Sequence, residues 1–268
     1  MGRIGKYTMI GIIFFVIFLI ATIPATFVTN NMLDEKAPIK LYNVSGSAWS
    51  GKAGVMQLGD KQLQKFEWDL KALPLIFGTI KFDFSFRIKS STASGTVALS
   101  SFGSGEISID DTKLNIKSDD VPDFLPIPEP LKLKGPLKVD IEELDISEEM
   151  IPVYAQATAQ WRKSTAVIGD QNYDLGEFDL NAYSEDDKVY ITIKDTKKNG
   201  PIEAKLSSEI QENGALLVSG ILGTRETADK KLSGFARMLL QGTQQKVVNY
   251  KGSIKEPEKI ISGVLAGK

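Results

Sequence analysis

The chain has 268 residues, of which 42% are hydrophobic and 25% are charged, and its formal net charge at pH 7 is -2. This composition is typical of a globular protein with a real core, and no basic face large enough for a nucleic-acid partner stands out, so we expect none. The chain has no cysteine and no histidine. Disulfides, thiolate chemistry and catalytic triads that use histidine as the base are therefore excluded.

A long apolar run near the N-terminus predicts a membrane segment. No charged side chain occurs from Tyr7 to Leu33, and residues 9–28 supply the roughly 20 apolar positions that a helix needs to cross a bilayer. We interpret the run as an uncleaved signal anchor. A cleavable signal peptide is the alternative, but its apolar core is shorter, and Pro24 and Ala25 make a weak cleavage site. The anchoring side chains are predicted to include Ile10, Phe14, Phe15, Ile17 and Leu19.

The charges on either side of this run predict its orientation. Arg3 and Lys6 precede the run, and acidic residues follow it from Asp34 onward. By the positive-inside rule, residues 1–8 lie in the cytoplasm and residues 34–268 lie on the far side of the membrane. In a bacterium, this arrangement is a single pass through the inner membrane with the bulk of the chain in the periplasm.

Most of the remaining chain has the alternation of apolar and polar residues that indicates β-strands. The clearest case runs from Ile80 to Ile88, where five large apolar side chains alternate with polar ones. Shorter strands are predicted at 107–109, 114–116, 131–133, 137–141, 153–161, 178–180, 189–193, 202–206, 216–222 and 248–254. Turns are predicted at Asp110-Asp111, Asp186-Asp187, 199–201 and Asn213-Gly214. The short spacing favours antiparallel hairpins, because parallel strands need long crossovers.

One amphipathic helix is predicted near the C-terminus, and a possible domain boundary is predicted in the middle of the chain. Apolar residues from 227 to 241 recur at helical spacing, with Thr227 as a candidate cap and Gly242 as a stop. A short helical turn is predicted at 73–77. Four prolines fall within 121–130, which excludes a regular central strand and suggests a sub-boundary at 119–130.

About ten strands with one apolar face each are more than one helix and one turn can cover. The sheet must therefore close on itself as a sandwich or barrel, or curl into a groove that holds lipid or a partner. The candidate groove face consists of Ile80, Phe82, Phe84, Phe86 and Ile88. The predicted fold is mainly β: an N-terminal transmembrane helix followed by an extended, curled antiparallel sheet and the C-terminal amphipathic helix.

No catalytic or cofactor motif occurs in the sequence. It contains neither a nucleophile elbow nor a phosphate-binding loop nor an EF-hand calcium loop. Adjacent acidic residues such as Glu142 and Glu143 point to opposite faces of a strand, so they are poorly placed to share a site. A hydrolase with a serine-lysine pair is the alternative that these absences leave open, but no feature of the sequence supports it. We therefore expect a protein that is not an enzyme and that has no cofactor or metal. Trp49, Trp68 and Trp161 are interpreted as packing residues.

Several stretches resemble one family, the type II secretion system protein N. They are the apolar N-terminal run followed by 41–51 (LYNVSGSAWSG), 66–70 (FEWDL) with 73–78, 157–161 (ATAQW), 199–202 (NGPI), and the 228–240 helix before 250–252. Gln156 and Gln160 depart from the family pattern, which has a glycine in this region.

This resemblance implies a bitopic inner-membrane protein with a large periplasmic domain. It implies a part in the export of folded proteins from the periplasm across the outer membrane, with other type II secretion components as partners. The family is also similar to periplasmic proteins of the AsmA type, which hold lipid in a curled sheet. The resemblance supplies no catalytic residues.

Overall fold

A computed structural model describes residues 15, 18, 22–27, 39–59, 61–100, 105–124, 131–198 and 200–266. Within these ranges only the backbone is described at 123, 239, 258, 261, 265 and 266. Four of the predicted anchoring residues, Ile10, Phe14, Ile17 and Leu19, lie outside the described part. Phe15 has a helical backbone and is exposed. None of the helices in the described ranges has the length and apolar character needed to span a membrane.

The described residues are mainly β, as predicted. The strands are β1 (Ile39–Gly46), β2 (Ser50–Leu58), β3 (Lys61–Lys71), β4 (Thr79–Ile88), β5 (Ser91–Ser100), β6 (Ile107–Ile116), β7 (Leu131–Lys134), β8 (Leu137–Ile146), β9 (Pro152–Ile168), β10 (Gln171–Glu185), β11 (Lys188–Asp195), β12 (Ile202–Ile210), β13 (Ala215–Thr224) and β14 (Gln245–Ser253). The helices are α1 (Ala72–Ile76), α2 (Val121–Phe124), α3 (Lys230–Leu239) and α4 (Pro257–Ala266).

The chain divides into two compact units, Met1–Ile88 and Lys89–Lys268. In the first unit the strand order is β1-β2-β3-β4, and each pair is antiparallel. In the second unit the order is β5-β6-β8-β9-β10-β11-β12-β13-β14, and β7 pairs with β9. The second unit's order is linear, so its strands form an open sheet and the alternative of self-closure is wrong.

The longest strand of the second unit, β9, is paired along one side by two shorter strands. β8 covers the half of β9 from Pro152 to Trp161, and β7 covers the end from Thr165 to Ile168. Gly135 lies between β7 and β8 with φ +117, and a Cβ there would lie 2.8 Å from the carbonyl oxygens of β9. Glycine is therefore required where the chain crosses from one short strand to the next.

The predicted Asp110-Asp111 turn is wrong, because β6 continues through it. Asp111 has φ +45, and the pairing between β5 and β6 shifts register at this point. Two residues of β6 therefore face one residue of β5, which is a β-bulge rather than a reversal. Gly95 lies opposite the bulge, and a Cβ there would clash with the Thr112 hydroxyl at 1.8 Å.

Strand register gives the second unit's sheet one apolar face and one polar face. Directly paired residues share a face. One row on the first face consists of Val139, Ala159, Leu180, Ile193, Leu206, Gly220 and Val248. The adjacent row on the other face consists of Asp140, Thr158, Asn181, Thr192, Ser207, Ser219 and Asn249. Because one whole face of the sheet is apolar, its side chains would be exposed to solvent unless other elements pack on them.

Both C-terminal helices pack on this apolar face. From α4, Ile260 and Val264 pack against a buried cluster that includes Val248 and Tyr250. Gly263 lets α4 lie directly on the Tyr250 ring, since a Cβ there would come within 2.1 Å of it. The prediction of one C-terminal helix is thus incomplete, because α4 was not expected.

A buried carboxylate joins the start of β5 to the end of β6. Asp120 Oδ2 accepts hydrogen bonds from the Ser90 backbone N–H (3.1 Å), the Ser90 hydroxyl (2.8 Å) and the Ser91 hydroxyl (2.7 Å). Ser91 Oγ in turn accepts from the Lys117 N–H at 2.8 Å. Burial raises the pKa of Asp120, but the hydrogen bonds from Ser91 and Ser90 outweigh it and hold the pKa below its usual 3.8.

Asp120→Asn should lower the free energy of unfolding at pH 7 by about 2 kcal/mol, because charge-assisted hydrogen bonds are lost. The pKa is lower in the folded than in the unfolded state. The carboxylate's contribution is therefore present above the unfolded pKa and is lost as pH falls through the folded pKa. In urea unfolding of the purified chain, the difference in free energy of unfolding between wild type and variant should become smaller below pH 4.

The matched control is Asp119→Asn. Its side chain is 81% exposed and pairs with Lys134 on the surface. An exposed pair contributes about 1 kcal/mol or less. Equal losses of unfolding free energy in Asp120→Asn and Asp119→Asn would contradict the stabilising role of the Asp120 carboxylate. A difference between wild type and Asp120→Asn that does not change with pH would also contradict it.

Candidate functional site

An apolar cavity of about 280 Å³ lies between α3 and the apolar face of the second unit's sheet. The side chains that line it are all apolar: Leu133, Trp161, Leu175, Phe178, Leu180, Ile193, Ile202, Ala204, Leu206, Leu222, Leu232, Phe235, Ala236 and Leu240, together with Gly223. The Trp161 indole N–H donates to the Gly135 carbonyl at 3.2 Å, so it is satisfied outside the cavity. Such a lining accepts hydrocarbon and offers little to a polar ligand.

The helix that covers the cavity is fixed at both ends by its sequence. The Asp229 side chain caps it by accepting from the Leu232 N–H at 2.6 Å. Gly242, with φ +92, ends it through a hydrogen bond from its N–H to the Arg237 carbonyl. The predicted cap, Thr227, instead donates to the Gly200 carbonyl at 3.0 Å. Thr227 therefore ties the chain before α3 to the loop before β12.

Two side chains of α3 attach it to the sheet. Leu232 is 2% exposed and packs with Ala166 and Tyr173. The Phe235 ring stacks on Tyr173, with ring centroids 4.9 Å apart. Aromatic pairs at this distance add stability beyond the area they bury. Several other lining residues, including Leu180 and Leu206, are only half-buried, so the cavity is reachable from solvent.

A buried ion pair holds the strand end that forms one wall of the cavity. Arg225 Nη2 lies 2.8 Å from Asp195 Oδ2, with side-chain exposures of 18% and 8%. Arg225 Nη1 donates to the carbonyls of Ile202 (2.5 Å) and Gly200 (3.3 Å). Asp195 also accepts from the Ala204 N–H at 2.9 Å. Ile202 and Ala204 both line the cavity, so the pair positions this wall.

Close to this wall lies a buried hydroxyl that lacks a partner. Thr224 pairs directly with Ile202 across β12 and β13, and it follows Leu222 by two residues, so it belongs to the apolar face. Thr224 Oγ1 is buried and has no hydrogen-bond partner among the described residues. An unsatisfied buried hydroxyl costs about 1–3 kcal/mol, and it marks a point where a polar atom would be stabilising.

A second apolar recess of about 350 Å³ continues along the same face, at β8 to β11. Its lining includes Val139, Ile141, Ala157 and Ile191, and Met150 at its rim is 65% exposed. Apolar surface therefore extends beyond the part that α3 covers.

The candidate groove face predicted from sequence lies on β4, in the first unit. Ile80 is 38% exposed, and Phe82, Phe84, Phe86 and Ile88 are half-buried. The rings of Phe84 and Phe86 stack at 5.8 Å. Phe84 and Trp68 line an open recess with charged neighbours that include Lys52, Glu67, Asp69 and Asp83. A groove role for this face stays a prediction, and the wholly apolar cavity is in the second unit, where sequence reasoning did not place one.

The structure brings together two of the tryptophan motifs. The Trp68 indole N–H donates to the Ala48 carbonyl at 3.1 Å. Its ring lies against Gly51, where a Cβ would come within 2.4 Å of it. Gly46, with φ +96, begins the tight turn between β1 and β2. Trp68 thus packs across the 46–51 hairpin, which agrees with its interpretation as a packing residue.

The carboxylates of the described residues are not grouped as metal ligands. Among the residues that the structure describes, no group of three or more acidic side chains is placed to hold a metal ion. Glu177 contacts Lys197 at 2.8 Å, and the hydrogen bond from Lys197 holds the pKa of Glu177 below its usual range. Glu209 is similarly paired with Lys188 at 2.8 Å. These carboxylates are placed as surface ion pairs.

The fold and this cavity define a class of protein: an open, one-sided antiparallel sheet whose apolar face is partly covered by two C-terminal helices. A family model for the type II secretion system protein N matches residues 37–247. The chain belongs to the type II secretion system protein N family.

Two relatives carry the same description. The type II secretion system protein N of Vibrio cholerae is 23% identical over 176 residues, which cover 65% of this chain and 68% of the relative. That of Aeromonas hydrophila is 24% identical over 208 residues, which cover 76% of this chain and 80% of the relative. No solved structure matches the chain.

Proposed function

We propose that this protein is a non-enzymatic inner-membrane component of the type II secretion system that supports export of folded periplasmic proteins across the outer membrane. The observation that carries the proposal is the family match over residues 37–247, which includes most of both units. Residues 9–28 anchor the chain, the β units lie in the periplasm, and the partners are other type II secretion components. The apolar run and the basic residues before it support this topology.

Deleting the gene from a strain with a type II system should leave secreted substrates in the periplasm, while their synthesis and folding remain normal. The measurement is the distribution of one substrate enzyme between periplasm and medium, by immunoblot and by activity. A plasmid copy of the wild-type gene should restore release, which excludes effects on neighbouring genes. Unchanged release in the deletion strain, with no paralogue present, would overturn the proposal.

A second candidate function is favoured by the cavity under α3. Its wholly apolar lining fits the hydrocarbon chain of an amphiphile, and the unsatisfied Thr224 hydroxyl near its wall fits a polar atom of the same molecule. A module of this kind would bind or transfer lipid in the periplasm. Mass spectrometry of the gently purified chain should then detect a co-purified amphiphile, and a chain that carries none would count against this candidate.

A further inference from the structure

The connection between β3 and β4 exposes three large apolar side chains within five residues. Leu73 is 73% exposed, Ile76 75% and Phe77 81%, and no residue of α1 is buried. Single exposed apolar residues are ordinary on protein surfaces. Three on one short connection form a patch of the kind that marks a contact with a membrane or another protein. We call these three side chains the 73–77 patch.

The 73–77 patch lies at the same end of the first unit's sheet as the turn between β1 and β2. Ser50 is in register with Asp69, and Asp69 is in register with Asp83. The Leu70 N–H also donates to the Trp49 carbonyl at 2.5 Å. The turn at 47–50 and the connection that carries the patch are therefore neighbours.

The end of the N-terminal apolar run is attached to this same turn. The Ala48 N–H donates to the Ile23 carbonyl at 2.9 Å, and Pro24 forms an isolated antiparallel bridge with Ser47. Ala25 is 1% exposed. These contacts, all inside the first unit, place the last residues of the 9–28 run at the end of the sheet that carries the patch.

The charges at this end are compatible with an approach to a membrane surface. Lys71 Nζ lies 2.9 Å from Asp69 and 2.6 Å from Asp83. Lys71 thereby contacts both carboxylates close to the patch, and its single positive charge offsets one of their two negative charges, which lowers the cost of bringing them near a less polar phase. The lysine stem can lie along apolar surface while its ammonium group stays among polar groups.

We propose that the 73–77 patch inserts into the interfacial layer of the same bilayer that residues 9–28 cross. The occupant is the phospholipid surface, because the hydrogen bond to Ile23 and the bridge to Pro24 attach the end of the apolar run to the turn that neighbours the patch. Aliphatic and aromatic side chains are stabilised at this depth. The first unit is then held to the membrane at two points, which limits its rotation about the anchor. The inference rests on the proposed membrane anchoring.

The test uses the full chain in vesicles of phosphatidylethanolamine and phosphatidylglycerol. Because the chain has no cysteine, single cysteines label one site at a time with an environment-sensitive fluorophore. Phe77→Cys and Ile76→Cys probe the patch. Leu58→Cys is the matched control, since Leu58 is 42% exposed and lies at the opposite end of the sheet, paired with Ile39. Phe15→Cys probes the predicted anchor.

We expect lipids with a nitroxide near the headgroup to quench the labels at 76 and 77 about threefold more than the label at 58. The reason is that interfacial side chains lie at the depth of the headgroups. Quenching of the label at 15 by lipids with a nitroxide on the acyl chain, with no quenching above the control at 76 and 77, would overturn the patch contact and leave the anchor intact. No quenching at any of these sites would overturn both. The two failures are thus distinguishable, and circular dichroism checks that each variant is folded.

Discussion

Arg225→Met should lower the free energy of unfolding by about 3–5 kcal/mol, because removing one partner of a buried ion pair leaves the other charge uncompensated. Asp195 is 8% exposed in its side chain, and Arg225 also satisfies the carbonyls of Gly200 and Ile202. The loss of stability should appear in urea unfolding. Proteolysis near 196–201 should also become faster, because Arg225 donates hydrogen bonds to carbonyls of this loop.

Two further variants separate the buried charge from a general loss of packing. Asp195→Asn in the Arg225→Met background keeps an acceptor for the Ala204 N–H while it removes the charge, so the double variant should recover part of the loss. Lys255→Met removes an exposed pair with Glu149, whose side chains are 48% and 69% exposed, and should cost about 1 kcal/mol or less. A double variant no more stable than Arg225→Met would show that the loss does not come from an uncompensated Asp195 charge.

Strong alternation was sufficient to predict strands where the apolar residues are large. The pattern from Ile80 to Ile88 predicts β4 to within one residue of its observed start. β1, β2, β3 and β5 were not predicted from alternation. β2 and β5 consist largely of small and polar residues, as in 91–100 (STASGTVALS), and such strands depend on their neighbours rather than on their own apolar pattern. β2 and β5 can be recognised only from the strand pairing that the structure shows.

The helices differ in how well the sequence encodes their ends. The apolar stripe of α3 predicts 227–241, and the helix spans Lys230–Leu239 because Asp229, not Thr227, caps it. For α4 the sequence contains a signal in Pro257, which suits the first turn of a helix, and in Ile260 and Val264, which lie one turn apart. That signal is short, and the residues before it read equally well as the end of a β region.

The cavity could not be predicted from the sequence, because its walls come from separate strands and one helix. Phe178, Leu206 and Leu222 are far apart in the chain and meet only through the register of β10, β12 and β13. A surplus of apolar sheet face was inferable from the number of alternating segments. The position of the uncovered face was not inferable. The sequence predicts it on β4, in the first unit, because β4 has the largest apolar side chains in one alternating run.

The two apolar surfaces differ in what could occupy them. The 73–77 patch is a set of protruding side chains, suited to a broad surface, whereas the cavity under α3 is a bounded volume suited to a single chain. Its volume of about 280 Å³ is at the small end of ligand pockets, which are roughly 300–1,000 Å³. We therefore expect one hydrocarbon chain there, and not a whole phospholipid.

Ala236→Phe should reduce the amount of amphiphile that the chain binds about tenfold, because the new ring occupies the space that a hydrocarbon chain would fill. Ala236 lies on α3, is 8% exposed and lines the cavity. With dodecanoate as the probe, ligand at 100 times its Kd should stabilise the wild type by about 2.7 kcal/mol. The variant should show little or no shift in thermal unfolding.

The control on the same helix is Gly234→Ala. Gly234 has no atom within 4 Å of an added Cβ and does not line the cavity, so its variant should bind dodecanoate as the wild type does. Thr224→Val separates the polar contribution: it removes the unsatisfied hydroxyl, so the ligand-free chain should become more stable while dodecanoate binds less tightly. A dodecanoate shift that survives Ala236→Phe unchanged would place the ligand elsewhere on the apolar face. An absent shift in the wild type would contradict the binding of an amphiphile in the cavity under α3.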